Sequence, residues 1–272
     1  MLFNKDKTEL IAYPNAKCED LYIVPDGTKK IKTNAFHYLF NLDRIILPDT
    51  LEEIGDDVFW GCPITTIDIP DSVVRIGSGA FERSHLESVT IGSGLEFVDG
   101  NVFASCEKLS DIKVSQDNKH YKIVDGVLLS DTTVVFCPVK KTGTYTIPDG
   151  ITRIGNYAFE RSNLEYVNIP DTVTYIGSCA FLDAKLKDIV IPSSVKEMYR
   201  TSFGAFYYDE MFFENIFYTG TKEDWQNIVI INIGKENGLY SEYLAACKIH
   251  YNVNVKFVAD SISGGDTFIG NM

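Results

Sequence analysis

This chain of 272 residues is poor in the side chains that usually carry chemistry. Its four histidines, at 37, 85, 120 and 250, lie far apart and each sits in a polar stretch. Their order gives no Ser-His-Asp or Cys-His set, and neither a glycine-rich phosphate loop nor a His-Glu-x-x-His motif occurs. The reading is a non-enzyme without cofactor or metal. Cations are outnumbered, 25 against 38 acidic residues, for a formal charge of −13. Polyphosphate binding depends on Lys and Arg displacing counterions, so a nucleic-acid partner is excluded, and docking on anionic lipid is opposed. No apolar run approaches the roughly 18 residues of a membrane-spanning helix, which excludes direct insertion. The first seven residues lack the apolar core and small-residue cleavage site of a secretory signal. The chain is therefore either not exported or a mature or excised piece.

Cysteine is present six times but never as C-x-x-C. Cys62 and Cys106 each fall three residues after a phenylalanine, where Ser84, Ser162 and Ala184 stand in other copies of the same pattern. That column asks for a small buried side chain, which Cys supplies. Two units apart at about 4.8 Å per unit, Cys62 and Cys106 lie beyond disulfide reach. Cys179 precedes Ala180 in the adjacent small column, and Cys18, Cys137 and Cys247 are scattered.

What the sequence has in quantity is repetition. Ile69-Pro70-Asp71 through Ala80-Phe81 recurs as Leu47-Pro48-Asp49 to Phe59, Ile147-Pro148-Asp149 to Phe159 and Ile169-Pro170-Asp171 to Phe181. Worn copies run from Val24 to Phe36 and from Ile191 to Phe203. Phenylalanines 36, 59, 81 and 103 are spaced 23, 22 and 22, and 159, 181 and 203 are spaced 22 and 22. A fixed period of this length predicts a β-rich repeat solenoid, whose units bury apolar edges against their neighbours.

Within a unit, L-x-x-I-x-I alternates as a strand, with Ile67 and Ile69 on one face and Thr66 and Asp68 on the other. Pro-Asp ends the strand, because Pro cannot extend a ladder and Asp bonds its own turn. Val-x-x-Ile-Gly follows, and its glycines 55, 77, 155 and 177 suggest a positive φ at the second bend. The closing Ala-Phe predicts a stacked aromatic column inside. Asp49 and Asp71, like Asp149 and Asp171, fall on adjacent turns; a calcium ion would relieve their repulsion, but no further acidic column completes a shell.

Residues 1–36 read as a partial long repeat with a β-hairpin, and 37–103 as regular units. Residues 104–159 form a second long repeat: its Asp125–Pro138 segment has the hairpin layout of Leu2–Pro14, and Tyr145, Pro148 and Phe159 follow Tyr22, Pro25 and Phe36 by 123. Regular units resume over 160–203, and 204–252 is expected to cap the open end. The cap includes a strand Ile216–Tyr218, a helix opened by Thr221 with Asp224 in a capping box, a short helix near Ser241–Ala246 and a strand Lys248–Tyr251. The aromatic run 206–213 is assigned to packing between the last unit and that cap. Val253–Val258 alternates as a further strand, and the chain from Ser261 is a tail. The first hairpin lacks the lead-in found before the second, which points to an excised segment or an unusual start.

The recurring Leu-x-x-Ile-x-Ile-Pro-x-x-Val-x-x-Ile-Gly-x-x-Ala-Phe resembles the BspA-like leucine-rich repeat of bacterial surface proteins, over about residues 1–251. Gly220–Trp225 and Ile249–Asn252 resemble the closing segment of such arrays. The resemblance implies a right-handed superhelix with a small α/β C-terminal cap, a cell-surface or secreted location, and a non-catalytic role in adhesion. It implies a partner that is an extracellular or host protein, or a glycan. It also places the strand face on the concave side, where solenoids bind. The candidate binding residues are accordingly Arg44, Thr66, Asp68, Ser88, Thr90, Asp111, Lys113, Tyr166, Asn168 and Asp188, with Ile46 and Val190 in the same columns. His85 aligns with Glu107, Asn163 and Lys185 and reads as a solvated position. The alternative role is a structural spacer presenting another domain of a longer surface protein.

Overall fold

A computed structural model describes residues 1–14, 20–186, 188–199, 201–204, 215–231 and 248–254. The L-x-x-I-x-I segments form long strands, and the V-x-x-I segments form two-residue strands, so each repeat contributes one rung to each of two walls. In the first half the long strands Leu21–Ile23, Arg44–Ile46, Thr66–Ile69, Ser88–Ile91 and Asp111–Val114 pair in parallel, in chain order. The short strands Lys30–Ile31, Glu53–Ile54, Arg75–Ile76 and Phe97–Val98 do the same. Ile67 and Ile69 point inward and are buried, while Thr66 and Asp68 are exposed, as alternation requires.

The third wall is made by the Ala-Phe turns, whose backbones also stack. Phe36 N–H donates to the Val58 carbonyl at 3.0 Å, Phe59 to Ala80 at 2.7 Å, and Phe159 to Ala180 at 2.8 Å. The rings of Phe36, Phe59, Phe81 and Phe103 follow one another at 5.2, 5.3 and 5.7 Å, and those of Phe159, Phe181 and Phe203 at 5.2 and 5.8 Å. Five of them, at 36, 59, 81, 159 and 181, are wholly buried. Offset stacking of this kind adds about 0.5–1.5 kcal/mol per pair beyond the area removed from water.

The glycines of the V-x-x-I-G columns serve a different purpose from the one their sequence suggests. Gly55, Gly77, Gly155 and Gly177 do not have positive φ; a Cβ on Gly77 would lie 2.6 Å from the Asp56 nitrogen, and one on Gly155 2.7 Å from the Val134 oxygen. They are glycines because the preceding turn's backbone passes too close for a side chain. Positive φ falls instead two residues before and two after Phe36, Phe59, Phe81, Phe103, Phe159 and Phe181. Before them come Asn34, Asp57, Gly79, Asn101, Tyr157 and Cys179; after them come Tyr38, Gly61, Arg83, Ser105, Arg161 and Asp183. None of these is β-branched, the class for which this region is most strained.

Polar side chains tie turn to turn. Ser72, Thr172 and Ser194 hydroxyls each donate at 2.7 Å to a carbonyl of the previous turn, those of Leu51, Ile151 and Val173. Cys62 and Cys106 thiols donate back to the Phe36 and Phe81 carbonyls at 2.8 and 3.0 Å. Both sulfurs are buried, and burial pushes their pKa up to about 12. Cys62, Cys106, Cys137 and Cys179 are free thiols.

Two hairpins punctuate the array. Leu2–Phe3 runs antiparallel to Glu9–Ala12, which then pairs in parallel with Lys30–Ile31. In the second long repeat the lead-in adds a strand: Tyr121–Val124 pairs with Val127–Ser130 across Asp125-Gly126, both at positive φ, as a tight two-residue hairpin demands. Thr133–Phe136 completes the hairpin and starts the second short-strand ladder through Arg153–Ile154, Tyr175–Ile176, Glu197–Tyr199 and Val229–Ile231. This insert divides the core. Leu128 belongs to the apolar cluster of the first half, while Val127 and Leu129 belong to that of the second.

The long-strand wall is divided as well, into Thr142–Thr146 with Asn163–Asn168, and Asp188–Ile191 with Asn215–Tyr218 and Lys248–His250. The helix is Lys222–Gln226, with Thr221 and Asp224 in a reciprocal capping box. The aromatic run 206–213, the helix near Ser241–Ala246, the strand beyond residue 254, the tail, Cys18 and Cys247 lie outside the described residues.

Candidate binding surfaces

Seven of the ten residues singled out from the sequence come together in one sheet. Arg44 faces Thr66, Thr66 faces Ser88 and Ser88 faces Asp111, while Asp68 faces Thr90 and Thr90 faces Lys113. They make two parallel columns on the exposed side of four strands, a width of about 14 Å at 4.8 Å per strand. Lys113 Nζ lies 3.1 Å from the Asp111 carboxylate, an exposed pair of little energetic weight.

The remaining three are separated from them. Tyr166 and Asn168 lie opposite Thr144 and Thr146 in the two-stranded sheet, with Asn168 Nδ2 donating to Thr146 Oγ1 at 2.9 Å. Asp188 belongs to a third sheet and accepts from Asn215 Nδ2 at 2.8 Å. Val190 is buried, so it is not part of an exposed column. The hairpin insert interrupts the expected strip between Asp111–Val114 and Thr142–Thr146, and a second break, at no insert, separates Asn163–Asn168 from Asp188–Ile191. Two residues extend the first sheet's surface: Leu21 faces Arg44, Ile23 faces Ile46, and all three apolar side chains are exposed, Ile23 by 59%. Their place was legible in the worn first copy, Val24-Pro25-Asp26, which puts Leu21–Ile23 on the Arg44–Ile46 columns.

In the Asp column, Asp71 does not serve its own turn. Asp71 Oδ1 accepts from the Ser93 backbone N–H of the next turn at 2.6 Å, and this bond lowers the carboxyl's pKa. Among the described residues no group of three or more His, Cys, Asp or Glu is arranged around a common centre.

A second surface runs along the Ala-Phe turns. Trp60 stacks on His37 at 5.0 Å, meets Tyr38 edge-on at 4.5 Å, and carries the Arg83 guanidinium 5.1 Å from its ring centre. Phe40 extends the patch beyond Tyr38 and is 73% exposed. The signal was available in sequence: the position after each Phe holds Glu82, Ala104, Glu160 and Leu182, and only His37 and Trp60 make it aromatic.

Next to Arg83 the wall opens. In regular units the N–H two residues after Phe donates to the carbonyl one residue after the next Phe: Tyr38 to Trp60, Gly61 to Glu82, Arg83 to Ala104, Arg161 to Leu182. At the insert this series is broken. Ser105 N–H instead donates to the Glu160 side chain at 2.7 Å, and its hydroxyl donates to the same carboxylate at 2.9 Å. Glu160 is buried, and desolvation raises its pKa against those two hydrogen bonds. The missing rung leaves a cleft of about 500 Å³ lined by Arg83, Ser84, His85, Ser105, Glu107, Lys108 and Arg161.

Parallel ladders on two walls, a stacked aromatic core and a 22-residue period define a leucine-rich-repeat β-solenoid. Residues 11–124 and 133–234 match the BspA type leucine rich repeat region in six copies, and the chain belongs to that family. Solved structures agree on the fold. A leucine-rich repeat protein from Eubacterium ventriosum is 19% identical over 89% of this chain and 77% of its own, with a TM-score of 0.65. One from Bacteroides ovatus is 22% identical over 85% of this chain and 55% of its own, with a TM-score of 0.54. No curated protein sequence matches the chain. Among the described residues no helix is long and apolar enough to cross a membrane.

Proposed function

We propose that this chain is a non-catalytic protein-binding module of a bacterial cell surface, and that its partner docks on the strand face of the first half. The observation that carries the reading is the alignment of two exposed columns over five strands. They hold charged and hydroxyl residues along most of their length and the apolar group Leu21, Ile23 and Ile46 at one end. An apolar anchor beside polar complementarity is the composition of a protein interface, and a rigid ladder presents it without ordering cost. A non-catalytic role is supported by the inertness of the buried thiols and the separation of the histidines. The surface location rests on the family resemblance of the repeat.

The test is binding to a panel of immobilised matrix proteins and mucins. Wild type should bind a member of the panel, and the double substitution Ile23→Glu/Ile46→Glu should weaken that binding at least tenfold with an unchanged circular dichroism spectrum. Unchanged affinity would reject this face. No binding by the wild type would favour the spacer role, in which the array only holds another domain away from the wall.

A further inference from the structure

The structure points to a second, independent site: we infer that the cleft at the missing rung binds a carboxylate-bearing sugar residue of an acidic glycan. Its lining contains three permanent cations, Arg83, Lys108 and Arg161, and a single carboxylate, Glu107, in a chain whose net charge is −13. The three cations play different parts. Arg161 is fixed in place by Glu107 and by Asp183, whose carboxylate lies 3.3 Å from its Nε. Arg83 is held over Trp60, with Glu82 only at the 4.0 Å limit of an ion pair. Lys108 is exposed and has no acidic partner among the described residues. Stacking on an aromatic ring orients a guanidinium while leaving its N–H fork directed outward, and such a fork pairs with a carboxylate through two hydrogen bonds.

The rest of the cleft favours a sugar over an acidic peptide. Ser105 and Glu107 supply a hydroxyl oxygen, whose own proton goes to Glu160, and a carboxylate, and both can accept hydrogen bonds from sugar hydroxyls. The lining offers no apolar wall to anchor a peptide side chain. The volume, about 500 Å³, is within the range of small-ligand pockets. The exposed Tyr38 and Phe40 rings continue the surface along the same wall, beyond Trp60, where further sugars of a chain would pass.

The experiment titrates the whole chain with trigalacturonate, with a neutral galactotriose and with a hexaglutamate peptide, by calorimetry in low salt. Trigalacturonate should bind and galactotriose should not. Lys108→Gln and Arg83→Gln should each weaken trigalacturonate binding about tenfold, the loss of one charge-assisted hydrogen bond. Ile23→Glu/Ile46→Glu should leave it unchanged, which separates this site from the strand face. Absence of trigalacturonate binding, equal binding of galactotriose, or indifference to Lys108→Gln with the fold intact would overturn the inference. Binding of hexaglutamate as tight as trigalacturonate, and equally sensitive to Lys108→Gln, would overturn the sugar assignment in favour of an acidic peptide.

Discussion

Replacing Phe81 by Ala removes the middle of the aromatic column. Its ring is wholly buried and stacks on Phe59 at 5.3 Å and on Phe103 at 5.7 Å. Truncation of a buried Phe costs about 3–5 kcal/mol, and two lost ring pairs place this site in the upper part of that range. In a repeat array, stability is carried by nearest-neighbour interfaces, so the loss should concentrate in the half that contains the substitution. The chain holds two tryptophans that report the halves separately. Trp60 lies on the wall of the first core, and Trp225 packs against the second, 5.1 Å from the Tyr218 ring. Urea titrations of Phe81→Ala in Trp60→Phe and Trp225→Phe backgrounds read each half alone. The Trp60 signal should lose about 4 kcal/mol, and the Trp225 signal less than half as much, because the core clusters are distinct on the two sides of the Val127–Ser130 strand. A loss below about 1.5 kcal/mol at Trp60, within the cost of a volume-conserving swap, would refute a load-sharing Phe column. Equal losses at both tryptophans would refute the division at the hairpin.

Three further outcomes follow from the packing. Gly77→Ala should cost about 1–3 kcal/mol by overpacking against the Asp56 and Gly55 backbone, measured as a shift in urea midpoint, whereas a positive-φ account would predict rescue by Asn; Asn should be worse than Ala. Glu160 has a raised pKa, so the folded state holds its proton to higher pH than the unfolded state. Its stability contribution is present below the ordinary carboxylate range and is lost as pH rises through the raised value, and Glu160→Gln should flatten that slope in thermal melts taken across it. Iodoacetamide should label no more than two of the six cysteines in the native protein and all six in urea, since Cys62, Cys106, Cys137 and Cys179 are buried; labelling of three or more natively would contradict the packing.

Much of this architecture was legible in the sequence because a solenoid writes its contacts locally. The Phe spacing announced the ring column, and the small residues three positions after each Phe announced the thiol column. What escaped reading depends on how rungs are offset in space. The Gly77 column looks like a bend, yet φ there is ordinary and the constraint comes from the turn beneath it. Asp71 looks like a turn-former for itself but accepts from Ser93 one unit later. The hairpin insert was visible as 34 additional residues between Phe103 and Phe159, but periodicity alone does not show that it splits the strand face. Nor does it show that Ser105 meets the Glu160 side chain in place of the regular rung and that a cleft opens there, because the period does not say how two turns separated by an insert meet. The aromatic patch on Trp60 went unread for a related reason: its partners come from columns one and two residues past Phe, which no single repeat pairs.

The central claim is that a partner protein meets the strand face, and a photo-cross-linker tests it most directly. Benzoylphenylalanine would be placed at Thr90, on that face, and in a second protein at Glu96, exposed beside the short-strand wall. Each would be irradiated on immobilised matrix proteins and mucins. Cross-links from position 90 and none from position 96 are the predicted result. Equal yields, cross-links from position 96 alone, or none from either would contradict it.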